Sequence, residues 1–181
     1  MIIEKPQQFI TPEFLIRAAT AAWEVGGAAS LRHRVFVEEQ GIFQTHDRDE
    51  IDHVALPLVA ISTIASEADE VVGTVRIYEA EPGLWWGSRL AVAPAYRRIG
   101  RLGAELIRLA VSSAHGAGCE TFLAHVQMQN VPMFQALHWE AVEEADLHGV
   151  AHMKMRADLD FYPPFLEPET GWMALTRRKA A

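Results

Sequence analysis

Cysteine is almost absent: Cys119 is the only one in 181 residues. A lone cysteine cannot build an internal disulfide framework, which fits a reducing, cytoplasmic setting. Positive charge is also scarce, with 16 Lys and Arg against 24 Asp and Glu, for a formal charge of −8. Binders of nucleic acid or of anionic membranes carry a basic footprint, so neither is an expected partner. Long apolar runs are missing. The longest near-apolar stretch, Val54 to Ala65, is too short for a bilayer and is broken by Pro57, Ser62 and Thr63. The opening Met-Ile-Ile-Glu-Lys-Pro lacks a basic region followed by an apolar one, so it does not read as a secretion signal. Several motifs are absent as well: His-Glu-x-x-His, Gly-Lys-Ser/Thr, Gly-x-Gly-x-x-Gly opening a βαβ unit, and Gly-x-Ser-x-Gly around Ser88. His148 and His152 straddle a turn glycine, and Asp47-x-Asp49 lacks the glycine and glutamate of a calcium loop, so no metal is expected.

What is present is a globular composition, 50% hydrophobic and 22% charged, of a length suited to one core. Glu13 to Thr20 reads as a strand, followed to about Gln40 by a helical stretch that Gly26-Gly27 weakens or divides. Gly41 to Asp52 is aperiodic or a short helix. The β-branched runs Val54 to Ile64 and Val71 to Glu79 flank a hairpin signal at residues 66–70, and Leu84 to Val92 makes a third strand. Ile99 to Ala117 is the clearest helix, with Leu102, Leu106, Leu109, Ala110 and Ser113 on one face and Gly116 and Gly118 as its stop. Then come a strand (Glu120 to Val126) that calls for a parallel neighbour, a short helix (Val131 to Leu137), and two strands (Glu140 to Ala145, Val150 to Arg156) around Leu147-His148-Gly149. The order is α+β with mixed pairing. Residues 1–156 read as one domain, and 157–181 as an extension packed on it through Phe161, Tyr162, Phe165 and Trp172.

The segment Arg89 to Gly103 carries the chemistry. A strand with Leu90 and Val92 runs into a turn bearing Arg97, Arg98 and Arg101 with two glycines, then into the best helix. A helix N-terminus offers unpaired N–H groups and a positive dipole end, and arginines add charge-assisted contacts, so the turn suits a pyrophosphate. It suits a solvated basic helix start equally well.

With these residues the sequence resembles the GNAT superfamily of acyl-CoA-dependent N-acyltransferases over roughly residues 13–156. Four stretches carry the likeness: Arg34 to Gly41 with Asp49 and Asp52, Val72 to Arg76, Arg89 to Gly103, and Gln129-Asn130 to Trp139. The whole is similar to a bacterial branch described as nitrogen-starvation acetyltransferases. The resemblance implies a mostly antiparallel mixed sheet of six to seven strands with helices on both faces, and acetyl-CoA as acyl donor. It implies that backbone groups of Leu90 and Val92 pair with the pantetheine arm, one N–H there also holding the oxyanion. Arg97, Arg98, Ile99, Gly100, Arg101, Leu102 and Gly103 would bind the pyrophosphate, and Asn130 and Phe134 would lie near the sulfur. The family pattern Arg/Gln-x-x-Gly-x-Gly/Ala fits at Arg97 and Gly100, but its last position is Leu102, with Gly103 one step later.

A tyrosine often serves as the acid at the position of Phe134, which leaves water or Tyr162 for that task. The strand glutamate that often serves as base is also missing. His125, with Gln127 on the same face, and Glu38 or Glu39 are the candidates. A lone histidine in an apolar strand is commonly a core residue, and the glutamates equally suit a capped or solvated helix end. At most one of the adjacent Trp85 and Trp86 can face an acceptor. The expected activity is acyl transfer to a small amine in a ternary complex. Autoinducer-synthase-like transfer and a catalytically weak acyl-CoA-binding module are the alternatives, and the oligomeric state is open, a homodimer included. Charge is unevenly spread. Residues 38–52 hold six acids against Arg48, a local −5, and residues 97–108 hold four arginines against Glu105, a local +3. That asymmetry favours a cationic acceptor beside an anionic donor.

Overall fold

The computed structural model describes residues 14–64, 67–98 and 101–175. The chain order is β1 (Phe14–Ala18), α1 (Ala22–Arg32), β2 (Leu56–Ile64), β3 (Glu67–Glu81), β4 (Leu84–Val92), α2 (Leu102–Gly116), β5 (Thr121–Gln127), α3 (Val131–Ala136), β6 (Trp139–Leu147), β7 (Val150–Ala157) and β8 (Trp172–Ala174). These strands form one sheet in the order β6-β7-β5-β4-β3-β2-β1-β8. Every pairing is antiparallel except β4 with β5. That parallel pair is joined through α2, as a crossover requires. The eighth strand exceeds the six to seven expected: β8 pairs with β1 from a proline-rich segment that shows no strand alternation.

Alternation along the inner strands sorts the core into two layers. Leu58, Ala60, Val72, Val75 and Ile77 face α2 with Leu106, Leu109 and Ala110. Val59, Ile61, Val71 and Ala91 face α1 with Ala28, Leu31 and Val35. The Gly26-Gly27 pair does not divide α1. A Cβ on Gly27 would lie 2.8 Å from Val71 Cγ2, so the glycine lets the helix press onto the sheet. The helix then continues as a wider π-helix over His33–Glu39, where Gln40 N–H reaches Val35 O at 3.0 Å. A 3₁₀ turn, Glu50–His53, follows before β2. The hairpin signal at 66–70 falls inside β3 from Glu67 onward, so the bend itself lies outside the described residues.

The C-terminal segment crosses the outer face of α2. Phe165 N–H bonds Ser112 O at 2.9 Å, Trp172 Nε1 donates to Glu105 at 2.9 Å, and Arg108 stacks 4.8 Å over the Trp172 ring. Tyr162 is fully buried and its hydroxyl donates to Leu137 O, while Trp139 Nε1 donates to that hydroxyl at 3.1 Å. Burial pushes the Tyr162 phenol up to about 12. It borders no part of the cleft described next, which removes it as the acid suggested by the sequence.

Candidate active site

The sheet forks. Pairing between β4 and β5 runs from Leu84↔Thr121 to Gly87↔Ala124 and stops, although both strands continue, to Val92 and Gln127. Opposite Val75 the β3–β4 ladder skips, with Thr74↔Ala91 followed by Arg76↔Ser88, and Arg89 takes a positive φ of 57°. One extra residue on β4 makes a bulge, which bends the strand away from β5. From Ser88 to Val92, β4 therefore has β3 on one side and no strand on the other.

A cavity of about 400 Å³ fills the fork. On the α1 side it is bounded by Phe36, Gln40, Phe43, Asp49, Arg76, Tyr78, Trp86, Ser88, Arg89, His125 and Gln127. On the α2 side it meets Ile107, Ala110, Phe122, Val126 and Phe134. Across its mouth run two bridges. Gln127 Nε2 donates to Gln40 Oε1 at 3.0 Å, and the Phe43 and His148 rings meet at 4.7 Å. His148 sits at the β6–β7 turn, where it and Gly149 both have positive φ, as a two-residue hairpin turn demands.

The α1-side wall is a charged network. Arg32 donates to Asp47 through Nε (2.6 Å) and to Asp52 through Nη1 (2.6 Å). Arg76 holds Asp49 with a two-pronged contact (2.6 and 2.8 Å), reaches Asp52 at 2.8 Å, and donates from Nε to Ser88 at 2.9 Å. Arg89 contacts Asp47 at 3.1 Å and Asp49 at 3.2 Å and lies 4.7 Å over the Phe43 ring. Arg32, Arg76 and Asp47 are buried. Burial opposes the charge on Arg32 and Arg76, but their aspartate partners overcome it and raise both above the ordinary value. The Arg76 contact holds Asp49 below the usual carboxylate range, and Asp52 is lower still despite its burial, through Arg32, the Asp49 N–H and Arg76. Arg89 is lowered by burial and by Arg76 beside it.

Sequence and shape now converge. Residues 28–139 match the acetyltransferase (GNAT) family. The chain belongs to that family. No curated protein matches it by sequence. Among solved structures, a Lactobacillus plantarum protein described as an N-acetyltransferase superposes with a TM-score of 0.71 at 21% identity, covering 81% of this chain and 99% of that one. Escherichia coli ElaA gives 0.66 at 19% identity over 81% and 99%. The CoA-dependent acyl-homoserine lactone synthase BjaI, solved with SAM and isopentyl-CoA, gives 0.65 at 19% identity over 88% and 94%. At such identities the likeness establishes the shared GNAT fold.

GNAT proteins use acyl-CoA, and the residues beside this fork suit that ligand. Gly103 opens onto empty space: a Cβ there would meet nothing within 4 Å. Leu102 and Gly103 open α2, where backbone N–H groups precede the i−4 ladder; Ala104 N–H already bonds Arg101 O at 2.9 Å, and Arg98 and Arg101 are exposed. Leu102 turns its side chain into the core, 1% exposed, so the bulky residue points away from the loop face. Ile99 and Gly100 lie outside the described residues. Arg97 is engaged elsewhere: it grips Glu39 with both Nη atoms (2.7 and 2.6 Å) and Val92 O with Nε (3.0 Å). That contact lowers the Glu39 carboxyl. Glu38 is exposed and faces His33 at 3.4 Å, and neither glutamate borders the cavity.

Leu90, Asn130 and Phe134 do border the cavity, while Val92 lies at the end of β4 opposite Gly73. His125 also borders it, exposed and stacked 4.9 Å from Trp86. Partial desolvation by the cavity wall, with His152 and Lys154 nearby, lowers its pKa, so the imidazole is neutral at physiological pH. Trp86 faces the cleft and Trp85 packs on the α2-side core.

The charge reading needs correction. Asp47, Asp49 and Asp52 are spent on Arg32, Arg76 and Arg89, and Glu39 on Arg97, so the acidic run is largely neutralised and does not by itself attract a cation. Sequence reasoning missed Arg32, and it missed the place of Arg89 in the charge network. Arg32 had a visible signal, a charged residue on the same helical stripe as Ala28, Leu31 and Val35. Arg89 had none, because its role comes from the bulge.

Proposed function

We propose that this protein is an N-acyltransferase that moves the acyl group of an acyl-CoA, acetyl-CoA being the expected donor, onto a small primary amine within a ternary complex. The observation that carries the reading is the fork, whose cavity has an unpaired strand edge and a neutral imidazole on its borders, with Ile107 and Ala110 of α2 behind them. A ring nitrogen of His125 takes the proton of the bound ammonium. The amine lone pair attacks the thioester carbonyl carbon. The C–N bond forms, the nitrogen gives up its second proton to water, the C–S bond breaks with its electrons going to sulfur, and an N–H of the free β4 edge between Ser88 and Val92 faces the developing oxyanion. Thiols have a pKa of about 8.5, so the thiolate is a workable leaving group without the tyrosine that Phe134 replaces.

In this reading Arg98, Arg101, Leu102 and Gly103, with Ile99 and Gly100, surround the pyrophosphate, and Arg97 joins them by leaving Glu39. Asn130 and Phe134 flank the pantetheine near sulfur. Glu39, tied to Arg97, is a weaker base candidate than His125, and Glu38 weaker again. We read residues 1–156 as the catalytic domain and 157–181 as its packed extension, the chain as cytoplasmic, and the nitrogen-starvation branch as its place in the family on the strength of Arg34 to Gly41.

Thiol release from acyl-CoA with a panel of small amines, lost in His125→Ala, tests the proposal. Phe134 in the acid position favours a second reading, an acyl-CoA-binding module without turnover. Tight CoA binding with no thiol release across the panel would select it.

A further inference from the structure

We propose that the acyl chain this fork accepts is longer than acetyl: an aliphatic chain that passes between β4 and β5 and lies in the inner end of the cavity on the α2 side. The inference rests on the acyl-CoA reading above and deepens it, replacing acetyl with a longer acyl group as the expected cargo.

The cavity touches both hydrophobic layers of the protein, one on each face of the sheet. It can do so only by running through the sheet where β4 and β5 separate. The passage is framed by the last paired residues, Gly87 and Ala124, which add almost no bulk. Gly87 has a second neighbour to respect, since a Cβ there would lie 3.0 Å from the Phe122 ring. Beyond that frame the walls are Val75, Ile107, Ala110, Phe122, Val126 and Phe134, each 6% exposed or less, with no hydroxyl or charge among them. Trp139 closes the end, and its polar atom is turned away to the Tyr162 hydroxyl.

The contrast with the α1 side decides which substrate goes where. An amine in the inner end would lose its hydration without a partner, which is strongly unfavourable. Water there would lack the two to four polar contacts it needs. An acetyl methyl at the fork would leave the inner walls untouched and forfeit their dispersion contacts. A methylene chain makes those contacts, and each buried methylene is expected to tighten binding about fourfold, equivalent to about 0.8 kcal/mol. The bonds exchanged are those already given: C–N forms at the carbonyl carbon, C–S breaks, and the chain itself is unchanged.

Calorimetric titration of the full chain with CoA, acetyl-CoA, butyryl-CoA and hexanoyl-CoA tests this. CoA and acetyl-CoA should bind alike, and each two-carbon step beyond acetyl should tighten binding about fifteenfold until the inner end is full. Ala110→Leu should fill that end and cut the hexanoyl-to-acetyl affinity ratio at least tenfold. Ile107→Ala should enlarge it and raise the ratio for octanoyl-CoA. A flat series with CoA still bound, or a ratio unmoved in both variants, overturns the long-chain proposal and leaves the acyl-CoA reading standing. Failure of CoA itself to bind overturns that reading instead. Should Ala110→Leu not fold, the unmodified series and Ile107→Ala decide.

Discussion

On the α1 side of the fork the walls stand by paired charge, with Arg32, Arg76 and Arg89 interleaved among Asp47, Asp49 and Asp52. On the α2 side they stand by packing, with Leu106, Ile107, Ala110, Phe122 and Phe134 in one apolar layer. The two sides respond to different conditions. Packing contacts are indifferent to pH, whereas a charge network holds only while its carboxylates are ionised. Geometry differs as well. Two-pronged Arg–carboxylate contacts fix positions and angles of the polar wall, and an apolar wall tolerates ligands of graded size.

The largest effect tests His125, the imidazole on the cavity wall that the proposed reaction uses as its base. His125→Ala should lower kcat/KM by about 10²–10⁴-fold, up to about 5.5 kcal/mol of transition-state stabilisation, with little change in the urea midpoint. Because the lowered pKa makes the neutral form the active one, wild-type kcat/KM should rise with pH along a limb below about 6.5 and be flat above it. A limb above neutrality would point to another base.

Next, Arg32→Met removes one arm of the network and leaves buried Asp47 with Arg89 alone. It should cost about 3–5 kcal/mol at neutral pH by urea unfolding. Leu106→Ala, in the packed side, should cost about 2–5 kcal/mol. Acid separates the two. Asp49 and Asp52 have lowered folded pKa values, so their stabilisation is full above the unfolded value of about 3.9 and is lost as pH falls through the folded values. The Arg32→Met deficit should therefore shrink below pH about 4, while the Leu106→Ala deficit persists.

The smallest effect concerns the half-exposed pair Glu39–Arg97. Such pairs contribute about 0.2–1 kcal/mol, so Glu39→Gln should release Arg97 and tighten CoA binding by no more than about fivefold in low salt. Weaker binding in the variant would mean that Glu39 holds Arg97 in place for the ligand instead of competing with it.

Much of this was legible in the amino acids. β-branched runs marked β2 and β3, the Leu102, Leu106, Leu109, Ala110 stripe marked α2, and Arg89 to Gly103 marked the basic turn between β4 and α2. Local pattern suffices there because alternation and helical spacing are properties of neighbouring residues. What stayed hidden depends on residues far apart in the chain. Arg97 looked free and is held by Glu39, Asp47 counted toward an acidic run and is buried between Arg32 and Arg89, and Tyr162 looked available as an acid and is sealed against Trp139. Composition and periodicity alone determined a single α+β core with a basic turn at the head of its best helix. Only the tertiary structure decided where β4 parts from β5, which charges are already spent, and that the opening runs through the sheet. Pairing partners and voids arise from contacts between segments, and no local run of sequence encodes a contact it does not itself make.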